Sequence, residues 1–242
     1  MAVVALPERL DVGDLTFAVQ HRPNRRTLEI TVERDASLSI KVPDGVSIDQ
    51  IESFVAAKRL WIYRKLAEKD ALLGPPVTKT FVTGEGFAYL GRSYRLLLVD
   101  AQEPPVKLEH GRFRLRRDQA ASGREMRRWY CATGASWLAR RITPWSRRVL
   151  AGDIAVEVSD LGYRWGSAGA SPRVNVHWAA LQLPPTLIDY VLVHELVHVL
   201  EPNHTGRFWQ LVARALPDFE ERKTKLAASG AALWLGDTNR DR

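Results

Sequence analysis

Cysteine is almost missing from these 242 residues, with Cys131 standing alone. An internal disulfide and a cysteine-based zinc finger are therefore excluded. Long hydrophobic runs are missing too. None approaches the roughly 18 consecutive apolar residues of a membrane-spanning helix, so no membrane segment is expected. The opening MAVVALPERL lacks a cationic n-region, and its apolar run breaks at Pro7, Glu8 and Arg9. A secretory leader is not expected from such a start, and the cytoplasm is the expected compartment. No internal repeat and no low-complexity segment is visible. Methionine is scarce, at Met1 and Met126 only. What remains is an ordinary globular balance, 45% hydrophobic and 26% charged, which is enough to bury a sizeable core.

Charge is unevenly placed. The net charge is +7, and residues 116–150 carry nine arginines against Asp118 and Glu125. Nine less two is +7, so the rest of the chain is neutral overall. So dense a basic segment can meet phosphates, including those of nucleic acid. It can equally be a solvated helix face whose arginine stems cover apolar surface.

Period-two alternation predicts strands at Leu15–Gln20, Thr27–Glu33 and Leu38–Val42. Ser47 and Gln50 form a capping box for a helix running to about Leu72, where Gly74-Pro75-Pro76 stops it. Strands return at Phe81–Leu90, Tyr94–Asp100, Val106–Glu109 and Phe113–Arg116, spaced as successive antiparallel hairpins around Gly91 and Gly111. A helix is expected from Gly123 to Val149, interrupted near Thr143-Pro144. Short strands at Ile154–Val158 and Arg173–His177 precede helices at Thr186–Leu200, Thr205–Ala215 and Asp218–Ala228. The polar tail from Gly236 onward is expected to fray. The layout predicts an α+β fold, with a β-rich region over 1–120 containing one long helix and a catalytic region over 121–242.

The chemistry concentrates in Asp189-Tyr190-Val191-Leu192-Val193-His194-Glu195-Leu196-Val197-His198, followed by Glu201-Pro202-Asn203-His204. His194 and His198 stand four apart in an apolar helical pattern, so their imidazoles share one helix face and can converge on a metal ion. Glu195 lies about 100° further round and can act on a water as general base. A catalytic zinc needs three protein ligands and an open position. His204 is the best third ligand. A continuous helix would place it about 240° from His198, but Pro202 prevents that continuation. Asn203 tolerates a left-handed conformation that would reverse the chain, and Thr205 can cap the next helix. An acidic third ligand from Asp218, Glu220 or Glu221 stays open. A metzincin is excluded, because Glu201 occupies that pattern's glycine position and no methionine follows.

These residues resemble the YgjP-like metallopeptidase family, relatives of SprT-like and other zincin-type hydrolases. The resemblance runs through Arg164-Trp165-Gly166-Ser167, Asn175, Pro185, Asp189-Tyr190-Val191, the histidine motif, Asn203-His204 and Phe208-Trp209. Upstream it includes Arg25-Arg26-Thr27-Leu28, Val42-Pro43-Asp44-Gly45-Val46 and Leu90-Gly91. Ala168 departs from it, where a cysteine is usual. The resemblance implies a zincin-like catalytic region and a zinc-dependent peptidase. It also implies two alternatives: a nucleoside triphosphate (UTP-type) pyrophosphohydrolase, or a DNA-associated protease of SprT-like kind.

Several residues have a functional and a structural reading side by side. Arg164 could bind an anionic substrate group or form an ion pair. Asn175 could bind substrate backbone or end a strand. Asp189 could orient a ligand histidine or cap its helix with Thr186. Asn203 belongs beside the ligands, whereas Phe208 and Trp209 read as core. His21, His110 and His177 have no partner spacing, and Cys131 reads as packing. Three histidines favour zinc, with nickel, cobalt and manganese also able to fit.

Overall fold

The computed structural model describes residues 7–32, 37–70, 77–162, 164–169 and 172–238. Its contacts divide the chain into two units, 1–74 and 75–242.

The first unit begins with strands β1 (Arg9–Val12), β2 (Leu15–His21), β3 (Glu29–Val32) and β4 (Leu38–Val42). They form one sheet in the order β1-β2-β4-β3, with β2 and β4 parallel and the outer pairs antiparallel. Helix α1 (Ile48–Asp70) follows. The capping box forms: the Ser47 amide donates to Gln50 Oε1 at 2.9 Å, and the Gln50 amide donates to Ser47 Oγ at 3.3 Å. Phe17 and Ile40 from the sheet pack with Ile51, Val55 and Ile62 of the helix as a separate core. The Gly74-Pro75-Pro76 stop lies outside the described residues.

In the second unit, β5 (Val77–Lys79) precedes β6 (Gly86–Tyr89), β7 (Arg92–Val99), β8 (Val106–Glu109) and β9 (Arg112–Arg116). β6/β7 and β8/β9 are antiparallel hairpins, as their spacing predicts. β7 and β9, however, pair in parallel, giving the order β6-β7-β9-β8. This repeats the topology of the first sheet, and here too a long helix follows, α2 (Arg124–Val149). The chain thus contains a four-strand-and-helix pattern twice, which its residues do not advertise.

The contact division lies at 74/75, and residues on either side of the expected 120/121 boundary pack together. Phe87, Leu96, Phe113 and Leu115 share one core with Met126 and Tyr130 of α2. The Tyr130 hydroxyl also donates to the Ala88 carbonyl. α2 runs unbroken through Pro144. Six of its seven buried residues, Met126, Tyr130, Gly134, Leu138, Ile142 and Ser146, recur every fourth position, so one packed stripe outweighs the hydrogen bond that proline removes.

Beyond α2, β10 (Ala155–Ser159), β11 (Gly166–Ala168) and β12 (Arg173–His177) form a sheet in the order β10-β12-β11. Helices α3 (Pro185–Leu200), α4 (Gly206–Ala215) and α5 (Phe219–Ser229) complete the core. α3 packs on α2, β11, α4 and α5, and it is buried on nearly every side. Strand β13 (Trp234–Thr238) pairs with β5, so the chain is ordered to Thr238 where fraying was expected from Gly236. The anchor is Trp234, fully buried, whose backbone exchanges two hydrogen bonds with the Gln182 amide. Among the described residues no helix is long and apolar enough to cross a membrane.

Candidate metal centre

α3 starts on Pro185, a residue suited to the first helical turn because its missing N–H would have no partner there. The helix then presents His194 and His198 one turn apart. It ends as Glu201 turns extended ahead of Pro202, the restriction proline imposes on its predecessor. Asn203 does not adopt the left-handed conformation foreseen for it. The reversal comes instead from its carbonyl, which accepts the Thr205 amide at 2.8 Å. Thr205 Oγ1 then accepts the Phe208 amide and starts α4.

This break returns His204 to the other two histidines. His194 Nε2 lies 3.2 Å from His198 Nε2 and 3.1 Å from His204 Nε2. All three ligand atoms fall within 4.8 Å of one another, the only such group among the described residues. Zinc–nitrogen bonds of 2.0–2.1 Å in a tetrahedron separate nitrogens by roughly 3.3 Å, so the spacing fits a metal. The chemistry of the donors fits as well. His198 Nδ1 faces the Glu201 carbonyl at 3.3 Å, which places its proton there and leaves Nε2 as a lone pair. Burial, reinforced by the charges of His198, His204 and Lys223, holds His194 down at about 3. His198 and His204 are lowered chiefly by burial too. The three imidazoles are therefore neutral at pH 7, as ligands must be. Asp218, Glu220 and Glu221 stay outside the group and pair with Arg222, Lys223 and Lys225.

Aromatic rings brace the cluster from α4. The Phe208 centroid lies 4.5–5.0 Å from all three imidazoles, and Trp209 stacks on His204 at 5.6 Å. Both read as core from sequence alone; Phe208 is buried, Trp209 is partly buried against the same core, and both rings lie against the imidazoles.

Glu195 is 7% exposed and sits against β11. Burial pushes its carboxyl up to about 7, while the Arg164 charge and the Ala168 amide pull it partly back. A divalent cation alongside would favour the ionised form further. Position 168 acts on Glu195 through its backbone, which alanine supplies as well as cysteine. Gly166 is the residue that sequence reasoning missed. A Cβ there would lie 2.6 Å from Glu195 Cγ, so only glycine lets β11 come this close. The signal was present in the Trp-Gly-Ser run, but its meaning needed the helix opposite.

The other candidates divide. Arg164 lines a cleft of about 760 Å³ together with Glu195 and the three histidines. Asn175 instead donates to Ser167 Oγ at 3.4 Å and does not line the cleft. Asn203 contributes its backbone carbonyl. Asp189, 3% exposed, accepts both ends of the Arg141 guanidinium at 2.7 Å and Trp145 Nε1 at 2.9 Å. It orients no ligand histidine, because five residues along a helix is about 140° away from His194. His194 Nδ1 has no partner among the described residues. The salt bridge also accounts for one arginine of the basic segment. Arg116, Arg117 and Arg128 are likewise held by carboxylates.

An α+β fold that gathers three imidazoles and a buried carboxylate in one cleft has the makings of a metal-dependent hydrolase. Over residues 26–229 the sequence matches the YgjP-like metallopeptidase domain, and the chain belongs to that family. Neither the curated proteins nor the solved structures returned a match.

Proposed function

We propose that this protein is a cytoplasmic zinc-dependent hydrolase that cleaves peptide bonds, with His194, His198 and His204 as ligands and Glu195 as general base. The observation that carries this reading is the convergence of three Nε2 atoms beside a buried carboxylate. When bound, the metal polarises the substrate carbonyl and acidifies the attacking water. Glu195 takes the proton from that water and passes it to the leaving nitrogen. A carboxylate kept basic by burial suits both transfers. Phe208 and Trp209 keep the imidazoles in place through the cycle, and β11 at Gly166 holds the base against the cleft. Nickel, cobalt or manganese could replace zinc at such a donor set.

One observation favours a second reading, nucleoside triphosphate pyrophosphohydrolysis. Arg164 lines the cleft beside the base, where a guanidinium could hold a polyphosphate. The DNA-directed reading is weaker, because Arg116, Arg117, Arg128 and Arg141 already have carboxylate partners. Zinc-loaded protein and its Glu195→Gln variant should be compared on a peptide library and on the four nucleoside triphosphates. Glu195-dependent peptide cleavage is the expected result. Glu195-dependent pyrophosphate release without peptide cleavage would replace the peptidase reading with the second one.

A further inference from the structure

A second recess of about 370 Å³ adjoins the metal cleft and shares Arg164, His194 and Glu195 with it. Trp165, Val191 and Leu226 give it an apolar wall. Three hydrogen-bond donors, Arg164, Tyr190 and Lys223, line it, and Arg164 and Lys223 are exposed to solvent there while the Arg164 charge also acts on Glu195. Tyr190 is 5% exposed, yet its hydroxyl has no hydrogen-bond partner among the described residues. Arg164 forms no ion pair with a described carboxylate. Lys223, exposed on α5, sits 4.6 Å from the Trp209 ring and 3.6 Å from the Glu220 carboxylate. Glu220 is itself mostly exposed, so that pair is weak and easily exchanged for a better acceptor.

Lysine and arginine offer donors only, and a tyrosine hydroxyl at the wall of a recess can donate to a bound acceptor. An apolar hollow lined by donors and adjoining the metal cleft can receive part of a substrate. We propose that this recess is a substrate subsite for an apolar group ending in an oxyanion. The apolar part rests on Trp165, Val191 and Leu226, and the carboxylate or phosphate is held by Arg164, Tyr190 and Lys223. The bond cleaved then lies close to an anionic end of the substrate. This inference rests on the hydrolase reading and sharpens it, because it makes Lys223 and Tyr190 residues that determine specificity.

Binding can be measured apart from turnover, on the zinc-loaded full chain carrying Glu195→Gln. Three calorimetric probes suffice: inorganic pyrophosphate, an N-acetylated tripeptide ending in leucine with a free carboxylate, and the same tripeptide as its amide. A charge-assisted hydrogen bond leads us to expect one anionic probe to bind about tenfold tighter than the amide. Lys223→Met should remove about that factor, Tyr190→Phe a smaller one, and Lys223→Arg should retain binding. Preference for the free acid identifies a carboxylate end, and preference for pyrophosphate a phosphate end. Equal binding of acid and amide with no pyrophosphate binding would overturn the proposal. So would anion binding that survives Lys223→Met and Tyr190→Phe but disappears when the metal is removed. Lys223-dependent anion binding in a protein without Glu195-dependent turnover would support the subsite and sink the hydrolase reading. Glu195-dependent turnover with anion binding indifferent to both substitutions would sink the subsite alone.

Discussion

The two units begin from the same plan and put it to different use. Each has a four-stranded sheet with a parallel pair at its centre and hairpin-like antiparallel pairs outside, followed by a helix of more than twenty residues. α1 buries Ile51, Val55 and Ile62 and leaves Leu60 largely exposed, so it closes one small core. α2 buries a stripe along its whole length and uses other positions as well. Arg141 and Trp145 reach out to the Asp189 carboxylate on α3 and so fix the helix that carries His194 and His198. A sheet and helix become the frame of a site when the helix is packed on more than one side.

That contrast makes predictions of decreasing size. Phe17→Ala and Phe113→Ala should each cost about 3–5 kcal/mol by opening a cavity in a fully buried position. Thermal melts should show both losses, while metal content falls with Phe113→Ala and persists with Phe17→Ala. Loss of metal in the Phe17 variant would erase the distinction between the units. Next, Glu195→Gln should lower turnover about a thousandfold without changing metal content, the scale of a lost general base. Gly166→Ala should follow at about a hundredfold in turnover, because its Cβ displaces Glu195 while the histidines stay. Unchanged turnover there would show that the base tolerates movement.

Removing the partly exposed partner of a buried carboxylate gives a smaller change. Arg141→Met should destabilise the second unit by about 2–3 kcal/mol, since Asp189 is left charged and buried with Trp145 alone. Chemical denaturation would measure it. The smallest effect concerns Glu29 in the first unit. Burial opposes its ionisation, but Lys41 and Arg25 overcome that and hold its carboxyl below 4.5. Its contribution is therefore complete above pH 4.5 and fades as pH falls through the lowered value. Acid titration of stability should show this loss in the native sequence and not in Glu29→Gln.

Much of this could be read from the residues because it is local. The Ser47–Gln50 box, strands β8 and β12, the Thr205 cap and the proline break before His204 all depend on neighbours within a few positions. The parallel pairing of β7 with β9 could not be read, because hairpin spacing reports only on adjacent strands. The repeated topology was hidden for the same reason, as strand order is a long-range property. The partners of Asp189 could not be read, because they lie 44 and 48 residues away, on a different helix. Lys223 gave no signal, and Tyr190 stood in the Asp189-Tyr190-Val191 run without a role of its own, since a recess is made by elements that meet only in the fold.

The central claim, that His194, His198 and His204 hold one metal ion beside Glu195, is tested most directly by metal stoichiometry. Native protein, His204→Ala and Glu195→Gln would be loaded with zinc, desalted and analysed for bound metal. The account predicts one equivalent in the native chain and in Glu195→Gln, and almost none in His204→Ala. A full equivalent retained by His204→Ala would contradict it and move the third ligand elsewhere.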